Sequence, residues 1–358
     1  MVGCAYAYVG CYTTPDRDGR GNGINVFSMD PQTGAWTHAH LYDSIGNPSW
    51  LALNEAKTHL YSVHGGDTYG EVSAYAIDKS TGALTPLGAQ ANGGPNPVAI
   101  SVLPHAPYAV VANYNSGTVA SLPVNPDGSL GPRSDLYTLI GTPGPHPTEQ
   151  KVSHPHHIPV DPAGQHFIVP DKGYDRTYVF RLDPTTGSII PSAQGSVQAA
   201  PGAAPRHFAF HPTRPFAYQC NEINSTLTTF RYDAATGRLD ELEVQTTLPA
   251  DFTERNSTAE IQVAPSGTFV YVSNRGHNSI AIFAVNPQTG ALSSVGWESS
   301  QGKQPRYFAL TPDGSLLYAA NQGSDTIVTY RVDQERGTLT PTGQIIEIGS
   351  PVSIVFVE

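Results

Sequence analysis

A hairpin pattern recurs seven times along the chain: a short apolar strand, an Asp or Asn, a turn closing on glycine, then a second strand. The turn glycines are Gly34, Gly82, Gly128, Gly187, Gly237, Gly290 and Gly337. They return about every 50 residues, the spacing of propeller and solenoid arrays. A small antiparallel sheet cannot bury both of its faces alone, so each unit must stack against neighbours. Repeat proteins grow by adding units around one axis, so length is no ground for dividing the chain. The pattern predicts an all-β fold over residues 1–358 as a single domain: a seven-bladed β-propeller.

Upstream of each hairpin lie two further apolar runs joined by a tight turn, clearest in Thr258-AEIQVAPSGTFVYVSNR and Pro305-RYFALTPDGSLLYAANQ. Each repeat therefore reads as four antiparallel strands, A to D, with A innermost. Residues 5–10 read as a B strand with no A strand before it, while the final run from Pro351 resembles the A strands. The C-terminal strand is expected to join the N-terminal blade and close the ring without a covalent link, pairing edges that would otherwise stay open.

Composition excludes several classes of partner. A net charge of −11 argues against nucleic acid, which requires clustered Lys and Arg. No apolar run approaches the roughly 20 residues that cross a bilayer. Cys4, Cys11 and Cys220 are too few and too far apart for a disulfide framework, which favours a reducing compartment, the cytoplasm. A monomer acting on a small molecule is expected.

Strands A and B run antiparallel, so A starts and B ends share one face of the disc. That face collects Asn47, Asn96, His156, Arg206 and Arg306 at A starts. At B ends it collects His64, Asn113, Asp171, Lys172, Asn221, Glu222, Asn274, Arg275 and Asn321. Repeat-wide residues invite a structural explanation, and Asn after strand B suits a left-handed turn as well as it suits a ligand. Departures from the repeat are more telling. Glu222 is the one carboxylate directly after a B-strand Asn, Arg275 stands where other blades have Tyr, Glu or Gln, and His156 opens the fourth A strand within Ser153-HPHHIPVDP. His157 points to the other side of that strand, so one strand offers too few ligands for zinc, and neither metal nor cofactor is expected. Asp171 is placed to orient His156 or to bind locally. His207, Trp50 and the B-strand tyrosines read as packing between blades.

Tyr8-VGCYT, Asn47-PSWLAL, Ala112-NYNSGTV, Pro155-HHIPVDP, Pro205-RHFAFHP, Asn221-EINSTL and Ser273-NRGHNSIAIF together resemble the seven-bladed propeller lactonase family. That family includes a bacterial type of 6-phosphogluconolactonase and a fungal 3-carboxy-cis,cis-muconate lactonising enzyme. The resemblance implies catalytic roles for His156, Arg206, Glu222 and Arg275, without a metal. Arg306, Asn274, Asn113, Asp171, His64 and Asn321 are the expected substrate contacts. It implies hydrolysis of a sugar-acid or carboxylated lactone, with either His156 or Glu222 as general base. A lactonising isomerase and a non-catalytic binding propeller are the alternatives. Many bacterial relatives carry Arg-Gln shortly before the histidine motif, where this chain has Glu149-Gln150. Only modest preference for a phosphorylated lactone is therefore expected, with Arg306, Lys172 and Lys151 as its possible clamp.

Overall fold

The computed structural model describes residues 5–30 and 32–358; Cys4, and Pro31 in the first hairpin turn, lie outside the described residues. The strands form seven sheets arranged as blades around one axis. Blade 1 contains Tyr6–Cys11, Ile24–Met29 and Trp36–Tyr42, and its innermost strand is Pro351–Val357 from the other end of the chain. The register runs antiparallel from Tyr6 opposite Val357 to Gly10 opposite Ser353, so backbone hydrogen bonds make the predicted non-covalent clasp.

Blades 2, 3, 5, 6 and 7 begin with the inner strands Trp50–Leu53, Pro97–Val102, Pro205–Phe210, Ser257–Val263 and Pro305–Leu310, and each has four strands. Blade 4 departs from this pattern. Its ladder holds Phe167–Asp171, Arg176–Leu182 and Ile189–Gln198, while the inner segment is held by isolated bridges at Pro155 and Val160. Proline has no N–H to give a ladder, and Pro155, Pro159 and Pro162 interrupt this segment. The His156 N–H still donates to the Pro170 carbonyl at 3.0 Å, which keeps the segment in the place of an A strand.

Apolar side chains gather in seven clusters, each between neighbouring blades. B-strand tyrosines rivet five of these interfaces by donating to the turn-glycine carbonyl of the next blade. Tyr8 reaches Gly82, Tyr61 reaches Gly128, Tyr218 reaches Gly290, Tyr271 reaches Gly337 and Tyr318 reaches Gly34, at 2.8–3.2 Å. A buried hydrogen bond of this kind contributes about 1 kcal/mol, and leaving one group unmet costs more. The turn glycine is required twice over. At Gly128 φ is +85°, and an added Cβ would stand 2.1 Å from the His59 ring of the preceding blade. The repeated glycine and the repeated tyrosine are thus two halves of one contact.

Among the described residues the only helical element is a 3-10 turn, Pro15–Arg17, and no helix is long and apolar enough to cross a membrane. Cys11 and Cys220 are buried and unpaired.

Candidate active site

The A-strand starts and B-strand ends converge on one mouth of the axis, as the antiparallel pairing of A and B requires. At its floor is a narrow funnel lined by Tyr12, Trp50, His156, Arg206, Arg306 and Tyr307, among others. The Arg306 guanidinium lies 5.2 Å from the centre of the Tyr12 ring, a cation–π arrangement.

Glu222 is the hub. Its Oε1 lies 3.0 Å from Lys172 Nζ and 3.2 Å from Arg275 Nη2, and its Oε2 lies 3.0 Å from Arg206 Nε. Burial opposes its ionisation, but Lys172, Arg275 and Arg206 outweigh burial and hold the carboxyl well below its ordinary range. Lys172 also meets Glu149 at 2.7 Å. Burial disfavours the Lys172 ammonium, yet Glu222, Tyr114 and Glu149 more than restore it. Burial, then Arg275 and Arg306, lower the pKa of Arg206, which is 1% exposed, to about 10, so the guanidinium is still charged at neutral pH.

Behind Arg206 stands a second row of buried groups. Arg206 Nη1 lies 2.9 Å from His207 Nε2 and also donates to the Ala259 carbonyl, and His207 Nδ1 faces Glu260 Oε2 at 3.2 Å. Arginine can only donate, so His207 Nε2 is the acceptor and the ring proton sits on Nδ1, toward Glu260. Burial pushes Glu260 up to about 8, against the pull of Arg206. His157 stacks on His207 at 4.6 Å, and Trp50 packs edge-on against both imidazoles.

His156 is 7% exposed and faces Tyr114 edge-on at 5.4 Å. Burial, followed by the positive charge of Arg206, keeps its pKa well below the usual histidine value, so the ring is neutral at pH 7. Its Nδ1 has no hydrogen-bond partner within the protein. Arg206 Nε, Glu222 Oε2 and Arg275 Nε are likewise buried without a hydrogen bond, the ion pair at Glu222 notwithstanding. Buried polar atoms in folded proteins are almost always satisfied. Of eight such orphans among the described residues, four converge here.

His156, Arg206, Glu222, Arg275 and Arg306 therefore come together as the sequence led one to expect. The other expected substrate contacts do not. Asn113, Asn274 and Asn321 are 0% exposed and do not line the funnel. Their amide nitrogens reach Thr118 Oγ1, the Thr247 carbonyl and the Ser300 carbonyl, at 2.9–3.1 Å, bracing the loops of the mouth. Asp171, also 0% exposed, accepts from Ser153 Oγ and from the backbone N–H groups of His154, Gly173 and Tyr174, so it shapes the loop that carries Lys172. Burial raises its pKa to about 6 against those hydrogen bonds. His64 is spent on Ser73 Oγ at 2.7 Å.

His207, Glu260 and Trp50 are the site residues that sequence reasoning missed. Two of them carried the signal used elsewhere, departure from the repeat: Pro205-Arg206-His207 contrasts with Pro305-Arg306-Tyr307, and Glu260 puts a carboxylate inside an otherwise uncharged inner strand. Among the described residues no three His, Cys, Asp or Glu side chains gather as metal ligands would.

Comparison with known proteins agrees with this geometry. The sequence model of the family described as Lactonase, 7-bladed beta-propeller, matches residues 6–356. A 6-phosphogluconolactonase of Bacillus subtilis is 38% identical over 301 residues, covering 84% of this chain and 83% of its own length. A 6-phosphogluconolactonase of Formosa agariphila is 31% identical, over 81% of this chain and 82% of its own. The solved structure of a periplasmic gluconolactonase of Pseudomonas aeruginosa superposes with a TM-score of 0.91 at 30% identity, covering 99% of each chain.

Proposed function

Because the chain belongs to the seven-bladed β-propeller lactonase family, we propose that its axial mouth hydrolyses the ester of a sugar-acid lactone, 6-phosphogluconolactone included. The observation that carries this reading is the convergence of His156, Arg206, Glu222 and Arg275 at one mouth, where His156 Nδ1 and Arg275 Nε are buried without a partner. Three of those side chains are charged, and a bound substrate with several oxygens would complete them.

Ester hydrolysis needs a base for water and a counter-charge for the carbonyl oxygen as the tetrahedral intermediate forms. His156, neutral and with a free Nδ1, takes the proton as the water oxygen bonds to the carbonyl carbon. Arg206 and Arg306 stabilise the oxyanion from fixed positions, before the reaction demands it. The ring C–O bond then breaks, the departing oxygen receives the proton from His156, and the product is an open-chain hydroxy acid. Glu222, held ionised by three cations, is a poor base. Its part is to orient Arg206 through Oε2 and Arg275 through Oε1. Residues 1–358 act as one monomeric domain without a metal, and the unpaired Cys11 and Cys220 support a cytoplasmic setting.

The test is to follow acid release from 6-phosphogluconolactone and from gluconolactone against buffer, with and without a chelator. Hydrolysis well above the spontaneous rate, lost in His156→Ala, is expected. A rate no different from buffer on every lactone would leave a binding propeller.

A further inference from the structure

Beside the funnel, on the same mouth, a groove of about 470 Å³ opens between blades 6 and 7, its walls including Arg255, Ser257, Arg275, Asn278, Lys303 and Gln304. Three of these are cationic, and no Asp or Glu lines the groove. Arg255 and Lys303 are exposed, and neither takes part in an ion pair among the described residues. Arg275 lines the groove, leaves Nε unpartnered and pairs with Glu222 at 3.2 Å, and Glu222 in turn pairs at 3.0 Å with Arg206 of the funnel wall.

We propose that this groove is the phosphate arm of the substrate site, with Arg255 and Lys303 binding the phosphate of a phosphorylated sugar lactone whose ring lies over the opening of the funnel. The inference rests on the lactonase reading above. A phosphomonoester carries close to two negative charges at neutral pH and three acceptor oxygens. An arginine fork and a lysine ammonium meet such a group well, the one directionally and the other as a point charge. A neutral hydroxymethyl group would have no use for them. The chain as a whole carries −11 and repels anions, so a local cationic groove without carboxylates decides where a dianion settles.

The clamp thus differs from the one the sequence led us to expect. Lys172 is committed to Glu149 and Glu222 at 2.7 and 3.0 Å, and Arg306 sits over Tyr12 in the funnel. Glu149 neutralises Lys172, while the groove is supplied from the opposite side of Arg275. The expectation of only modest preference for the phosphorylated lactone is accordingly replaced by a marked one.

Two measurements on the purified chain test this. In the first, kcat/KM is compared for 6-phosphogluconolactone and gluconolactone at matched ionic strength, in wild type and in an Arg255→Gln/Lys303→Gln double variant. Both residues are exposed and neither touches Glu222, so the fold and the gluconolactone rate should be kept within about twofold, while the phosphorylated substrate loses at least about tenfold. Equal loss on both substrates, or no loss on either, overturns the proposal. In the second, 6-phosphogluconate and gluconate are titrated calorimetrically, which requires no turnover. Tighter binding of the phosphorylated acid by wild type, abolished in the double variant, supports the groove even if no lactone is hydrolysed. Equal affinity for the two acids overturns the groove and leaves the lactonase reading standing.

Discussion

Glu260 Oε2 stands 3.2 Å from His207 Nδ1, and the other nitrogen of that ring stands 2.9 Å from Arg206 Nη1. A carboxyl on the inner strand of blade 6 thereby fixes the tautomer of a histidine in blade 5, and through it the guanidinium that faces the funnel. Glu260 does not line the funnel, while His207 does, beside Arg206. They position Arg206, and they do so from a site where burial is nearly complete, at 2% exposure for each.

Glu260 gives this row a pH signature. Its folded pKa is raised to about 8, so its contribution to stability is complete below its unfolded value and is lost as pH rises through about 8. Glu260→Gln keeps the acceptor oxygen and removes the titration. The melting temperature of wild type, relative to this variant, should fall between about pH 4.5 and pH 8 and level off above that. Parallel melting profiles across that range would show that Glu260 does not titrate there. For kinetics, Gln should retain more activity than Ala, because Gln still accepts from His207.

His156 sets the acid limb of the reaction. Its pKa is depressed by burial and then by Arg206, so kcat/KM should be level through neutral pH and fall only well below the ordinary histidine range. His156→Ala should cost on the order of a hundredfold or more in kcat and remove the limb. A wild-type profile that falls through pH 6 to 7 instead would mean that a solvent-exposed group is the base.

Glu222→Gln removes the anion shared by Lys172, Arg206 and Arg275. Breaking a buried ion pair by deleting one partner costs about 3–5 kcal/mol, since the remaining charge stays buried. Lys172 keeps Glu149, so the lower end of that range is expected, together with loss of activity. Denaturant unfolding monitored by fluorescence would measure it, and a change below about 1 kcal/mol would contradict the hub role.

Deleting residues 351–358 strips the innermost strand from blade 1 and leaves the edge of Tyr6–Cys11 unpaired. It also removes Ile354 and Phe356 from the cluster between blades 7 and 1. Fully burying an apolar side chain contributes about 1.5–3 kcal/mol, so the truncated chain should lose cooperative unfolding or aggregate. An unchanged, single melting transition would show that the clasp is dispensable.

The repeat was legible without coordinates because its cause is local. A turn that needs φ near +75° asks for glycine, and alternating apolar residues ask for strands, so Gly187 or Gly290 announces its blade wherever it falls in the ring. The mouth was legible for a related reason: antiparallel pairing fixes which strand ends share a face, and His156, Glu222 and Arg275 break the repeat there. Burial was not legible. Asn113, Asn274 and Asn321 have the right position and chemistry for ligands, and only packing shows that they lie beneath the surface with no exposure at all. Partnership was equally hidden. Whether a cation is free for substrate depends on distances between blades far apart in sequence, as with Lys172 and Glu222, 50 positions apart and 3.0 Å in contact. Local backbone preference writes the repeat into the chain, while the charge balance at the axis comes from closing seven blades into a ring, which brings their inner strands within reach of one another.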